Sequence, residues 1–111
     1  MLDGKLGVMV YVGDLKASVE FFRDKLDFGF RGYWDNTSNS VVDTWEECQE
    51  PGYAQVLIGD DHIGLHPDAD FEPGDTRIKL NFYVDDVDAV YEHAVAEGVE
   101  ATEPQDFPWG S

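Results

Sequence analysis

Apolar and polar positions alternate at the start of the chain. Val8, Val10 and Val12 fall on one face of residues 6–12, and Gly7, Met9 and Tyr11 on the other. A period of two predicts a half-buried strand. The period then lengthens. Leu15, Val19, Phe22 and Leu26 recur at helical spacing behind Asp14, a good N-cap, and predict a helix through about Leu26. Phe28 to Trp34 reads as a second strand, closed by the polar turn 35–40. Residues 41–50 fit a strand or a short helix. Tyr53–Ile58 and His62–His66 predict a hairpin around Gly59, Asp60 and Asp61. Pro67 to Asp75 is an acidic linker, and Arg77 to Val84 alternates like a further strand. Asp85 or Asp86 then caps a helix through Glu97, stopped by Gly98, with a last short strand expected at Val99–Thr102.

The pattern repeats. At an offset of 72 residues, Val8-Met9-Val10-Tyr11-Val12-Gly13-Asp14-Leu15 lies over Leu80-Asn81-Phe82-Tyr83-Val84-Asp85-Asp86-Val87. Tyr, Val and Asp are identical in register, and the apolar faces coincide. Each unit runs strand, capped helix, strand. The first has room for two more strands before His66. By the same arithmetic the second is short of roughly 27 residues at Ser111.

Composition narrows the function. The chain has 111 residues, the size of one domain, and 42% of them are hydrophobic, enough for a core. Seven Lys and Arg face 24 Asp and Glu, a formal net charge of −17. That charge opposes nucleic acid and anionic membrane surfaces as partners, since both require clustered cations. The acids are dispersed, which fits a solvated, halophilic surface; the same field would also attract cationic ligands. No apolar stretch reaches membrane-spanning length and no signal peptide pattern opens the chain. The single cysteine, Cys48, has no partner within the chain for a disulfide, and a reducing, cytoplasmic setting is expected. Cys48 lies among acids, which disfavour a thiolate nucleophile.

The repeat, with LKASVEFFRDKLDFGF after the first strand and VDDVDAVYEHAVAEGVEATEP after the later one, resembles the vicinal oxygen chelate superfamily. That group includes glyoxalase I, extradiol dioxygenases, fosfomycin-resistance enzymes and bleomycin-resistance proteins. The resemblance implies an α+β fold of paired βαβββ modules whose sheets curl into a ligand-holding cup. Residues 1–111 would form one such domain, with module one at about 5–67 and an incomplete module two at about 76–111. Pro108-Trp109-Gly110 is similar to the turn that precedes the last two strands in family members. With those strands missing, a homodimer is expected, by ordinary packing or by strand or domain exchange, because an open strand edge invites pairing.

Metal-dependent members carry ligands at positions that here hold Gly7, Lys79 and Gly64, with a fourth beyond Ser111. Glycine has no side-chain donor and a protonated lysine repels a divalent cation. The resemblance therefore implies no metal, no cofactor and no catalytic residue at the family positions. His62 and His66 share a strand face, but four residues place them ~13 Å apart, too far to chelate one ion. His93 reads as a surface histidine on the second helix, and Asp60 and Asp61 as turn residues. The predicted cup lining is Met9, Tyr11, Trp34, His66, Lys79, Asn81, Tyr83 and Trp109, a mixture of aromatic and polar groups suited to a small molecule. Each Trp, Trp45 included, can serve instead as core or dimer packing. His66 can bond a neighbour at a strand end, and Lys79 can hold an anion or pair with an acid.

Three functions follow as expectations. The first is a metal-free binding protein of the bleomycin-resistance type, sequestering an aromatic or cationic ligand in a dimer cleft. The second is a metal-dependent glyoxalase- or dioxygenase-type enzyme with unorthodox ligands. The third is an association-only module. The charge itself makes a prediction. Raising KCl from 0.1 to 2 M screens the self-repulsion and should raise the thermal unfolding midpoint by at least about 4 °C, the shift that ~1 kcal/mol produces in a domain of this size. A midpoint independent of salt in circular dichroism melts would contradict the salt-adapted reading.

Overall fold

In the computed structural model, residues 3–4, 6–74 and 78–106 are described. They fall in two units, Met1–Pro73 and Gly74–Ser111. Unit one opens with β1 (Met9–Val12) and α1 (Leu15–Glu20). Asp14 caps α1 as its pattern predicts: it sits in extended backbone, and its carboxylate accepts from the Ala17 N–H at 3.0 Å. Lys16 and Glu20, one turn apart, are paired at 2.6 Å. The helix continues as a π-helical turn over Phe21–Lys25. It ends with Asp27 at φ 62° and with the Phe28 N–H bonded to the Phe22 carbonyl at 2.9 Å, a Schellman-like stop.

Four strands follow: β2 (Gly29–Asp35), β3 (Ser40–Val42), β4 (Pro51–Ile58) and β5 (Asp61–Pro67). With β1 they form one sheet in the order β1-β5-β4-β2-β3. β1 is parallel to β5, and the other neighbours are antiparallel. The ambiguous segment 41–50 thus contributes the end of β3 and then a turn, in which the Thr44 hydroxyl donates to Glu47 at 2.7 Å.

The core lies between α1 and one face of the sheet. Leu15 and Val19 meet Tyr33, Ala54, Val56, Ile63 and Leu65, and Val10, Val12, Phe22, Phe28 and Phe30 pack around them. Trp45 meets Tyr33 edge-on at 5.3 Å, so this tryptophan serves the core. β2 carries a bulge. Phe30 pairs with Val56 and Tyr33 with Ala54, so Arg31 and Gly32 together oppose Gln55. Both Phe30 and Tyr33 thereby reach the core. Gly32 has φ 110°, and a β-carbon there would meet the Val42 carbonyl oxygen at 2.9 Å.

Asp35 is the buried acid of the core. Its carboxylate accepts from the backbone N–H groups of Thr37 and Glu50, each at 3.0 Å, and from the Ser38 hydroxyl at 3.2 Å. Burial alone would raise its pKa; the donated hydrogen bonds outweigh it and hold the carboxyl below its usual range. Cys48, beside it, donates to the Trp34 carbonyl. Burial, and then the Asp35 charge, push its thiol up, away from a thiolate.

Unit two repeats the local design of unit one. Asp86 caps α2 (Val87–Ala96) and accepts from Ala89 N–H at 3.0 Å, 72 positions after the Asp14–Ala17 bond. The helix stops at Gly98, where the Val99 N–H reaches the Ala94 carbonyl. The strands expected at 77–84 and 99–102 do not form in the described residues: 78–84 and 99–102 lie outside any strand. Ile78, Leu80 and Phe82, which alternate along that segment, are all exposed, Ile78 at 78%. The physical reason is pairing. β1 is held by β5, the last strand of its own module. In unit two no strand pairs with segment 78–84 among the described residues. Among the described residues no helix is long and apolar enough to cross a membrane.

Two outcomes follow. Leu65 is fully buried at the centre of the core, so Leu65→Ala should lower unfolding free energy in urea by about 3 kcal/mol; a loss below ~1 kcal/mol would contradict this packing. Asp35 has a depressed folded pKa, so its stabilisation is complete above the unfolded value of about 3.9 and fades as pH falls through the folded value. The stability gap between the protein and Asp35→Asn should stay constant from neutral pH to about 5 and shrink below about 3.9. A gap that widens in acid would contradict it.

Candidate ligand face

α1 covers one face of the sheet and leaves the other open. The alternation of each strand decides what the open face displays. On β1, Val10 and Val12 pack into the core, so Met9 and Tyr11 point away; Tyr11 is 56% exposed. On β5, Ile63 and Leu65 are core residues, so His62, Gly64 and His66 share the open face. On β4, Ala54 and Val56 are core, which turns out Tyr53, Gln55 and Leu57. The β2 bulge brings Arg31 and Trp34 to the same side, and β3 adds Val41.

The register aligns these residues in rows. Val41 is opposite Trp34, Trp34 opposite Tyr53, and Tyr11 beside His66. The β4–β5 register, with Ala54 opposite Leu65, sets Tyr53 opposite His66. One row across the sheet therefore reads Trp34, Tyr53, His66, Tyr11. The Tyr11 and His66 rings lie 5.2 Å apart, tilted by 51°. His66 Nδ1 is 2.8 Å from the Pro67 carbonyl. A carbonyl only accepts, so Nδ1 is the donor in this bond. The next row reads Arg31, Gln55, Gly64, Met9. Arg31 Nη1 donates to Gln55 Oε1 at 2.7 Å, and Gln55 Nε2 donates to the Tyr53 hydroxyl at 3.0 Å.

Of the expected lining, Met9, Tyr11, Trp34 and His66 thus fall on one face of unit one. Lys79, Asn81 and Tyr83 lie in unit two, exposed and outside any strand. Trp109 lies outside the described residues. Arg31, Tyr53 and Gln55 were not among the expected residues. The β4 alternation of Tyr53 and Gln55 against Ala54 and Val56 carried the signal for two of them. Arg31 follows the same alternation against the core residue Phe30, and the bulge after it turns Trp34 outward. His93, expected at the surface, is exposed on α2.

The donors do not fit a divalent metal at the family positions. Gly7 is exposed and Lys79 is a cation. Gly64 lies beneath the Tyr53 ring, and a β-carbon there would collide with the Tyr53 hydroxyl. Any ligating side chain at residue 64 would have to displace that ring. Among the described residues, no three of His, Cys, Asp and Glu are grouped to hold a metal ion. A separate groove of about 460 Å³ runs beside α1, lined by Val12, Ala17, Phe21, Phe22 and Phe71 among others. It carries no cationic, histidine or thiol side chain.

Unit one has the βαβββ order with one short extra strand, β3, at the sheet edge, and a second capped helix follows in repeat register. The family model described as Glyoxalase/Bleomycin resistance protein/Dioxygenase superfamily matches residues 6–111, and the chain belongs to this superfamily. A structure described as a member of that superfamily from Sphaerobacter thermophilus DSM 20745 is similar, at 21% identity and a TM-score of 0.61, covering 98% of this chain and 85% of the other. TioX from Micromonospora sp. ML1 is similar at 17% identity with the same TM-score of 0.61, covering 96% and 81%. At these identities the likeness is one of fold. No curated protein matches the chain.

The Gly64–Tyr53 contact is testable. Gly64→Ala should cost about 1–3 kcal/mol, the usual range for overpacking. In a Tyr53→Ala background the same change should cost less than ~0.5 kcal/mol, because nothing is left to collide with. Equal costs in both backgrounds, from urea unfolding, would place the Tyr53 ring elsewhere.

Proposed function

We propose that this protein binds and holds a planar aromatic small molecule against the open face of its sheet, without chemistry, in the manner of a bleomycin-resistance protein. The observation that carries the reading is the register-aligned row Trp34, Tyr53, His66, Tyr11. A flat partner can meet these rings by face or by edge, each such contact adding about 0.5–1.5 kcal/mol beyond its buried area. The mixed aromatic and polar lining supports a small-molecule ligand, and the net charge of −17 supports a ligand that is cationic or neutral at long range. The family's metal-dependent chemistry is the weaker reading, because Gly7, Gly64 and Lys79 supply no donor set for a divalent ion.

The working form we propose is a homodimer. In unit two, Leu80, Tyr83 and Val84 are exposed in a segment that repeats the β1 pattern, and β1 itself has one open edge in the sheet. A second copy brings both features to each chain.

The test is a titration in 2 M KCl of neutral and cationic planar aromatics, read by quenching of tryptophan fluorescence. Binding in the micromolar range that Tyr11→Ala or His66→Ala weakens at least about tenfold supports the reading. Failure of the whole panel would contradict it, as would stoichiometric Zn²⁺ or Mn²⁺ binding accompanied by turnover. Light scattering on the same samples should give twice the 12.5 kDa chain mass; a monomer would remove the dimer.

A further inference from the structure

The second row of the open face has a fixed hydrogen-bond polarity. Arg31 only donates, so the Gln55 oxygen must face it. That orientation turns the Gln55 amide nitrogen to Tyr53, whose hydroxyl oxygen accepts. The Tyr53 proton is then left to point outward. Arg31 uses only Nη1 here, so its Nε and Nη2 edge also has no protein partner among the described residues. The chain Arg31→Gln55→Tyr53 therefore presents donors at both ends.

Arg31 stands out by its place. It is the only Lys or Arg in the five strands of the sheet. In a chain with 24 acids, no carboxylate pairs with it among the described residues, while Lys16 and Arg23 on the helical segment are each paired. A planar guanidinium with a free edge matches a carboxylate, two N–H groups to two oxygens.

We propose that Arg31, held in place by Gln55, is an anion subsite, and that the ligand is a planar aromatic carboxylate. Its ring lies along Trp34, Tyr53, His66 and Tyr11, and its carboxylate meets the Nε–Nη2 edge of Arg31. This rests on the aromatic-binding reading above and departs from the cationic or neutral ligand charge favoured there: the protein's field repels an anion at long range, and contact with Arg31 overrides that repulsion where salt screens it. At 1 M salt the screening length is about 3 Å.

The test compares 2-naphthoate with the uncharged 2-naphthamide in 2 M KCl, on the full chain and on Arg31→Gln, by isothermal titration calorimetry. The proposal predicts that naphthoate binds about tenfold more tightly than naphthamide, the size of one charge-assisted hydrogen bond. In Arg31→Gln that preference should vanish, the two affinities agreeing within about twofold. Equal affinity for the two probes in the unaltered protein would overturn the anion subsite and leave aromatic binding standing. A preference that survives Arg31→Gln would also overturn it. Failure of both probes to bind would overturn both readings.

Discussion

The structure depends on one pairing, the parallel ladder between β1 and β5. These strands are far apart in sequence, and all the other elements of the module lie between them. Their pairing closes the module and fixes α1 against the core face, with Leu15 and Val19 buried. Asp14 then starts the helix immediately after β1, where the chain must turn to cross the sheet. Because α1 takes one face of the sheet, the other face of unit one is left without a helix. The pairing also sets the register that aligns Tyr11 with His66 and, through β4, with Tyr53 and Trp34. Unit two shows what the pairing supplies. It has the same cap and the same helix start, but segment 78–84 lies outside any strand where its counterpart β1 is held by β5.

Local features were legible in the sequence, and features of pairing were less so. Both helix caps could be read from Asp14 and Asp86 because a cap is decided by residues a few positions apart. The hairpin around Gly59 was legible for the same reason. Segment 78–84 misled because alternation reports which face a strand would bury, not whether a neighbouring strand exists to pair with it. Ile78 and Leu80 carry a strand pattern and remain exposed. At the site, Met9, Tyr11 and His66 could be placed on the face opposite the core residues of their strands from the period of two. Trp34 could not: counted by two from Phe30 it would face the core, and the bulge at Arg31–Gly32 turns it outward.

The site also explains how one fold serves different ends. A superfamily whose metal-dependent members chelate through side chains can lose that chemistry at single positions while the scaffold remains. Here glycine stands at residue 64, and the Tyr53 ring fills the space above it. The surrounding charge is overwhelmingly negative, and the cationic Arg31 is an exception placed on the face that α1 leaves open. Once salt screens the long-range field, the contrast between Arg31 and the surrounding acids is local to that face.

The most direct measurement of the central claim is an NMR spectrum of the protein with bound 2-naphthamide, observed through nuclear Overhauser contacts between the probe and aromatic side chains. The account predicts contacts to Tyr11, Trp34, Tyr53 and His66 together, since the register places them in one row. Contacts confined to Phe21, Phe22 and Phe71 beside α1 would contradict it, because the ligand would then lie in the groove beside that helix.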